Sequence, residues 1–149
     1  MYFEIYYLPY LAYSLKRRYS LIKRILLVDA DARSSCIFAA AFVGHGFSVE
    51  RVSNGLSALE RIDAETYDLI ISELDLYYLR GVDLYMRAVK KKPELEGSFL
   101  FIGACEPEDA RERAIVRGRF FLKPLPTDFI VDHVLDLLKV RLDKEDRHK

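Results

Sequence analysis

The sequence predicts an α/β fold in which a five-stranded parallel sheet is covered by helices on both faces. Three observations carry this. From Lys23 onward, short apolar runs alternate strictly with stretches of helical period. Most of these runs are almost uninterrupted apolar residues, as strands buried on both faces must be. The run at 47–52, "FSVERV", is more polar and is expected at an edge of the sheet.

Each element has its own justification. The strands are "RILLV" (24–28), "FSVERV" (47–52), "YDLIIS" (67–72), "SFLFIGA" (98–104) and "RFFL" (119–122), and the helices are expected near 32–44, 55–64, 81–91, 107–117 and 127–143. Asp31 stands directly before the first helical run and is its expected cap, and Gly44 and Gly46 sit where that helix must end. "SNG" at 53–55 caps the second helix. Pro107, followed by Glu108 and Asp109, is expected to open the fourth, where acids suit the helix dipole. In the last helix Ile130, Val134, Leu137 and Leu138 form the stripe that seats it on the sheet.

A chain of 149 residues is long enough for one core, expected here over 23–143. Lys plus Arg and Asp plus Glu both number 23, so no net field favours nucleic acid or acidic lipid, and no nucleic-acid partner is expected. Cys36 and Cys105 lie far apart inside apolar runs and read as reduced core thiols rather than a disulfide. Residues 144–149 form a charged tail, after which no output domain is expected, so the domain is expected to act alone or through a partner.

The first 22 residues are a tyrosine-rich extension, with Pro9 inside it and Lys16, Arg17 and Arg18 behind. It is too short and interrupted for a membrane span and lacks the leader of a secretory signal, so a cytoplasmic location is expected. Leu8, Leu11 and Leu15 fit an amphipathic stripe that could meet a membrane surface or a partner. An arm packed on its own domain or on a twin, or an upstream extension of little consequence, is the preferred reading, and membrane contact is not expected.

In an open α/β sheet the ligand site lies beyond the carboxyl ends of the strands. The residues there are Asp29 and Asp31, Glu73, Gly103 and Lys123: acids facing a lysine, which makes a small charged pocket. Each alone has an ordinary structural explanation; their placement at successive strand ends carries the signal.

Over roughly 23–142 the chain resembles the receiver domain of bacterial two-component response regulators, through "ILLVDAD", "SNGLSALE", "YDLIISELDL", Gly81 eight positions after Glu73, and "FFLKPL". The resemblance implies a flavodoxin-like fold with strand order 2-1-3-4-5. It further implies an Asp ending the third strand that accepts a phosphoryl group from a histidine kinase. Mg2+ is then held by that Asp, by acids after the first strand and by a backbone carbonyl two residues beyond. A lysine contacts the phosphoryl oxygens, a Thr or Ser ending the fourth strand turns toward them, and an aromatic on the fifth strand moves inward behind it.

Position by position, this chain keeps Lys123, with Pro124 after it as a candidate cis peptide, and departs elsewhere. Glu73 stands at the phosphoacceptor position, Ala30 where a second acid is common, Tyr77 at a turn position usually held by Pro, Gly103 at the switch hydroxyl, and Phe120 at the aromatic position. The metal set reduces to Asp29, Glu73 and the Asp75 carbonyl, with Asp31 as partial compensation, so no cofactor beyond weak Mg2+ is expected. The longer Glu73 displaces its carboxylate from where in-line phosphoryl transfer is organised.

The expectation is a pseudo-receiver, not an enzyme. Glu73 places a fixed charge beside Lys123, and signalling runs through protein contacts with a histidine kinase or a downstream effector. The expected partner face is the fourth helix, fifth strand and fifth helix, through which a homodimer is also considered, with Arg111, Arg113, Arg117 and Arg119 as exposed candidates. The alternative is a receiver that accepts phosphate elsewhere, such as at Asp75. A nucleotide binder or hydrolase is disfavoured: "DADARSS" lacks glycines to cradle phosphate, and His45, His133 and His148 form no site with one another.

Overall fold

The computed structural model describes residues 23–146, with side chains described to Lys139. The tyrosine-rich extension and the end of the charged tail lie outside the described residues. The strands are β1 (Arg24–Val28), β2 (Ser48–Val52), β3 (Leu69–Glu73), β4 (Phe99–Gly103) and β5 (Phe120–Leu122). The helices are α1 (Ala32–Gly44), α2 (Gly55–Ala64), α3 (Gly81–Lys91), α4 (Ala110–Val116) and α5 (Thr127–Asp146), with a 3-10 turn at Pro93–Leu95.

All neighbouring strands pair in parallel in the order β2-β1-β3-β4-β5, the flavodoxin-like arrangement. Alternate residues of the strands feed two cores. Ile25, Leu27, Leu69, Ile71, Leu100 and Ile102 meet Phe38 and Phe42 of α1 and Ile130, Val134 and Leu138 of α5 on one face. On the other, Leu26, Val28, Ile70, Phe99 and Phe101 meet Ala58 and Ile62 of α2, Val82, Tyr85 and Ala88 of α3, and Val116 of α4. Each fully buried Leu, Ile or Phe side chain contributes about 1.5–3 kcal/mol, so the two layers hold the strand ends in a fixed relation.

Local signals set most boundaries. The Asp31 carboxylate accepts from the N–H groups of Arg33 and Ser34, and Asn54 caps α2 through Ser57 N–H. Gly46 adopts φ +87° just past the end of α1, a conformation that suits glycine. β2 lies at the sheet edge, as its polar sequence requires.

Two expectations are corrected. The fourth helix begins at Ala110 rather than at Pro107, because the Asp109 carboxylate takes the N–H groups of Arg111 and Glu112 and so becomes the cap. Cys36 and Cys105 are free but exposed rather than buried. α1 turns Ser35, Phe38, Ala39 and Phe42 inward, which leaves Cys36 outward, and Cys105 falls in the loop after β4. Among the described residues, no helix is long and apolar enough to cross a membrane.

Candidate functional site

Three strand ends meet at the carboxyl edge of the sheet. Asp29 directly follows β1 and is buried, with its Oδ1 accepting Asp31 N–H at 2.9 Å. Glu73 is the last residue of β3, and Lys123 follows β5. The central position of β1 and β3 gives both acids an apolar floor, while β5 at the edge lets the lysine reach across from outside.

Lys123 Nζ lies 2.7 Å from Glu73 Oε1 and 3.4 Å from Asp29 Oδ2. The second Glu73 oxygen, Oε2, accepts the Ala30 N–H at 3.2 Å. One ammonium therefore stands between two carboxylates, and both oxygens of Glu73 are engaged. Burial is the largest influence on Glu73 and pushes its carboxyl above the ordinary value; the Lys123 hydrogen bond opposes this, and the neighbouring Asp29 reinforces it. For Lys123 burial works against the charged form, but the Glu73 hydrogen bond and the two carboxylate charges outweigh it, so its pKa is raised.

The end of β3 and the start of α3 approach closely at Glu73. A Cβ on Gly81 would lie 2.2 Å from the Glu73 carbonyl oxygen, so only glycine lets α3 begin this close to the end of β3. At Gly103 a Cβ would come within 3.0 Å and 3.2 Å of two carbons of the Phe120 ring. The ring thus packs against the space that any side chain at Gly103 would enter. The Lys123–Pro124 peptide bond is cis.

The other candidates are placed elsewhere. Asp31 serves as the α1 cap, with its carboxylate on Arg33 and Ser34 N–H. Asp75 lies beyond the end of β3, its side chain 71% exposed and paired with Arg80 at 3.2 Å. Arg80 also holds Glu112 of α4, a bridge with no signature in the sequence because its partner is 32 residues away. Among the described residues, no group of three His, Cys, Asp or Glu side chains could hold a metal ion. Arg119, expected to be exposed, is partly buried: its guanidinium lies over the Tyr85 ring at 4.6 Å and donates to Glu96 O at 2.7 Å and to Ile115 O. Arg111, Arg113 and Arg117 are exposed as expected, and the Arg113 guanidinium donates to the Pro107 and Glu108 carbonyls.

Residues 25–135 match the profile of the response regulator receiver domain. The chain belongs to this family. It is therefore a receiver domain of two-component signalling. Among curated proteins, it is 30% identical over 79 residues to the response regulator receiver protein CpdR of Brucella abortus, covering 53% of this chain and 66% of that protein. It is 27% identical over 106 residues to the transcriptional regulatory protein ZraR of Klebsiella oxytoca, 70% of this chain and 24% of that protein. It is 33% identical over 99 residues to the autoinducer 2 sensor kinase/phosphatase LuxQ of Vibrio cholerae, 66% of this chain and 11% of that protein. The last two matches span only a small part of proteins much longer than this receiver. Among solved structures, the CheY-like receiver of Methanospirillum hungatei superposes with a TM-score of 0.71 at 20% identity, over 86% of this chain and 99% of that one. The receiver domain of a Luxo repressor protein from Vibrio parahaemolyticus gives 0.72 at 24% identity, over 87% and 98%. These two likenesses concern the fold.

Proposed function

We propose that this receiver works without phosphotransfer, holding one signalling state through Glu73 and passing it on by protein contacts. The observation that carries the reading is the 2.7 Å contact between Lys123 and Glu73, with the other Glu73 oxygen on the Ala30 N–H. A carboxylate engaged at both oxygens is poorly placed to attack a phosphoryl donor, because that reaction depends on an in-line approach. Its single charge is less than the roughly two of a phosphorylated side chain, so the state it holds is a partial imitation.

The same geometry supports a weak Mg2+ site and no catalytic turnover. The two pocket carboxylates already accept from Ala30, Asp31 and Lys123. A small, hard cation would have to displace an ammonium and find its remaining oxygens in water and the Asp75 carbonyl. The exposure of the Asp75 side chain and its pairing with Arg80 also speak for Glu73, rather than Asp75, as the residue that sets the state. At Gly103 there is no hydroxyl to follow a phosphate.

The partners on this reading are a histidine kinase or a downstream effector. Leu122 and Phe129 are 45% and 55% exposed on β5 and α5, which offers an effector apolar contact on the α4–β5–α5 face. The test is intact-protein mass after incubation with acetyl phosphate and Mg2+, for the native protein and for Glu73→Asp, alongside a Mg2+ titration. The native protein is expected to gain no phosphoryl mass and to show no saturable Mg2+ binding at millimolar concentration. A single phosphoryl adduct on the native chain overturns the proposal; an adduct on Glu73→Asp alone shows that the remaining pocket is competent.

A further inference from the structure

The loop between β3 and α3 is built to display two tyrosines. Leu74, Leu76 and Leu79 are buried, while Tyr77 and Tyr78 are 72% and 82% exposed. The loop is held by its own backbone: Leu79 N–H donates to Tyr77 O at 2.7 Å, Gly81 N–H to Leu74 O at 2.9 Å, and Gly55 N–H to Tyr77 O at 3.4 Å. A Cβ on Gly55 would lie 2.2 Å from Leu79 O, so the loop is pressed against the start of α2.

Tyr78 sits at φ +66°, a left-handed conformation that a bulky residue rarely adopts and that glycine would adopt freely. The scaffold thus maintains an unfavourable backbone at a residue whose ring is almost wholly in water. Large, stiff aromatic side chains of this kind serve well as binding anchors, because little conformational freedom is lost when they are covered.

Beside Tyr78 a shallow groove is shared with Met86, Asp83 and Arg87 of α3, and Met86 is 43% exposed. Asp83 and Arg87 are one helical turn apart on one stripe, and among the described residues neither has an ion-pair partner. An acid and a base at this spacing, with an apolar residue between them, form a self-complementary pattern. If a second α3 packs antiparallel across a twofold axis, each acid faces the other copy's base.

We propose that this face binds a second copy of the chain. The twofold axis crosses α3 between Asp83 and Arg87, so that each Asp83 meets the partner's Arg87 and each Tyr78 covers the partner's Met86. The interface is separate from the α4–β5–α5 face and leaves that face free for an effector. It does not rest on the absence of phosphotransfer, and its test uses no phosphodonor.

The test is sedimentation velocity of the full chain across a concentration series, with charge variants. Native protein is expected to pass from monomer to dimer at or below about 100 µM, in the range of a modest interface. Asp83→Arg alone and Arg87→Asp alone each place like charges opposite one another and are expected to weaken the dimer by about tenfold or more. An equimolar mixture of these two variants restores opposite charges at both contacts and is expected to dimerise within about threefold of native. Tyr78→Gly is expected to weaken the dimer by about tenfold while its thermal midpoint stays equal or rises, since glycine relieves the backbone. That combination separates a binding role from a folding one. A native chain that stays monomeric, single charge variants that dimerise like native, a mixture that stays monomeric, or a dimer broken by Leu122→Glu and not by these changes each overturns the proposal.

Discussion

Lys123 stands between two carboxylates, so removing the cation and removing one anion should have opposite consequences. Lys123→Met keeps the apolar stem and deletes the ammonium, leaving the Asp29 side chain, 0% exposed, and that of Glu73, 16% exposed, without their counter-charge. At 2.7 Å, with an effective dielectric constant of about 20, the Lys123–Glu73 attraction is about 6 kcal/mol before desolvation is subtracted. Breaking a buried pair by removing one partner costs about 3–5 kcal/mol, and with the Lys123 side chain 20% exposed the lower end, about 3 kcal/mol, is expected near neutral pH.

Glu73→Gln should behave differently. A carboxyl whose folded pKa is raised contributes stability through its protonated form, in full below the unfolded value of 4.5 and lost as pH rises through the folded value. The amide imitates the protonated acid at every pH and leaves Lys123 facing Asp29 one to one. Glu73→Gln is therefore expected to equal or exceed native stability near neutral pH and to converge on it below 4.5. Lys123 has a raised pKa of the opposite charge type: its contribution is full below 10.5 and is lost as pH rises through the folded value. The Lys123→Met deficit should thus be greatest between these limits and shrink at both ends. Urea unfolding followed by circular dichroism from about pH 3 to about pH 12, a range that extends past 4.5 on the acid side and past 10.5 on the alkaline side, reads both curves. Equal losses for the two variants, or a Lys123→Met deficit that does not change with pH, would refute the one-cation, two-anion account.

Further predictions concern the backbone and packing around the site. Gly103→Thr drives a Cβ to within 3.0 Å of the Phe120 ring and is expected to cost about 1–3 kcal/mol by overpacking. Phe120→Ala added to it should cost less than the two changes do separately, which a double-mutant cycle in thermal unfolding measures. Gly81→Ala meets backbone rather than a side chain, 2.2 Å from the Glu73 carbonyl oxygen, so about 3 kcal/mol is expected with no rescue from neighbouring truncations. Arg119→Ala loses the stacking on Tyr85 and the bond to Glu96 O and should lower stability by about 1 kcal/mol, detectable as a shift in the urea midpoint.

The alternation of strands and helices was legible because each element carries its own period, and the topology then brings Asp29, Glu73 and Lys123 together without further instruction. The Asp31 and Asn54 caps were legible for the same local reason: a cap and the N–H groups it serves are at most three residues apart. What could not be read depends on partners distant in sequence. The orientation of Cys36 follows from which face of α1 meets the sheet, and α1 is apolar enough on both sides that period alone did not decide it. The immobilisation of Arg119 requires knowing that β5 lies beside β4 with Tyr85 beneath. The Gly103–Phe120 contact likewise exists only because the two residues sit on paired strands.

That contact bears on how the departures at this site fit together. Glu73 alone would alter what the pocket can receive, and a hydroxyl kept at Gly103 could still have followed its charge. Here the residue that would follow is reduced to a hydrogen, and the Phe120 ring packs over the space that a side chain would need. The two positions lie on adjacent strands, with Glu73 in register with Ile102, the residue before Gly103. A side chain restored at Gly103 must therefore displace the ring before it can respond to anything at Glu73. On the proposed reading, the input and its follower are changed together, so Glu73→Asp by itself can restore the chemistry of the pocket but has no mobile hydroxyl at Gly103 through which to move Phe120.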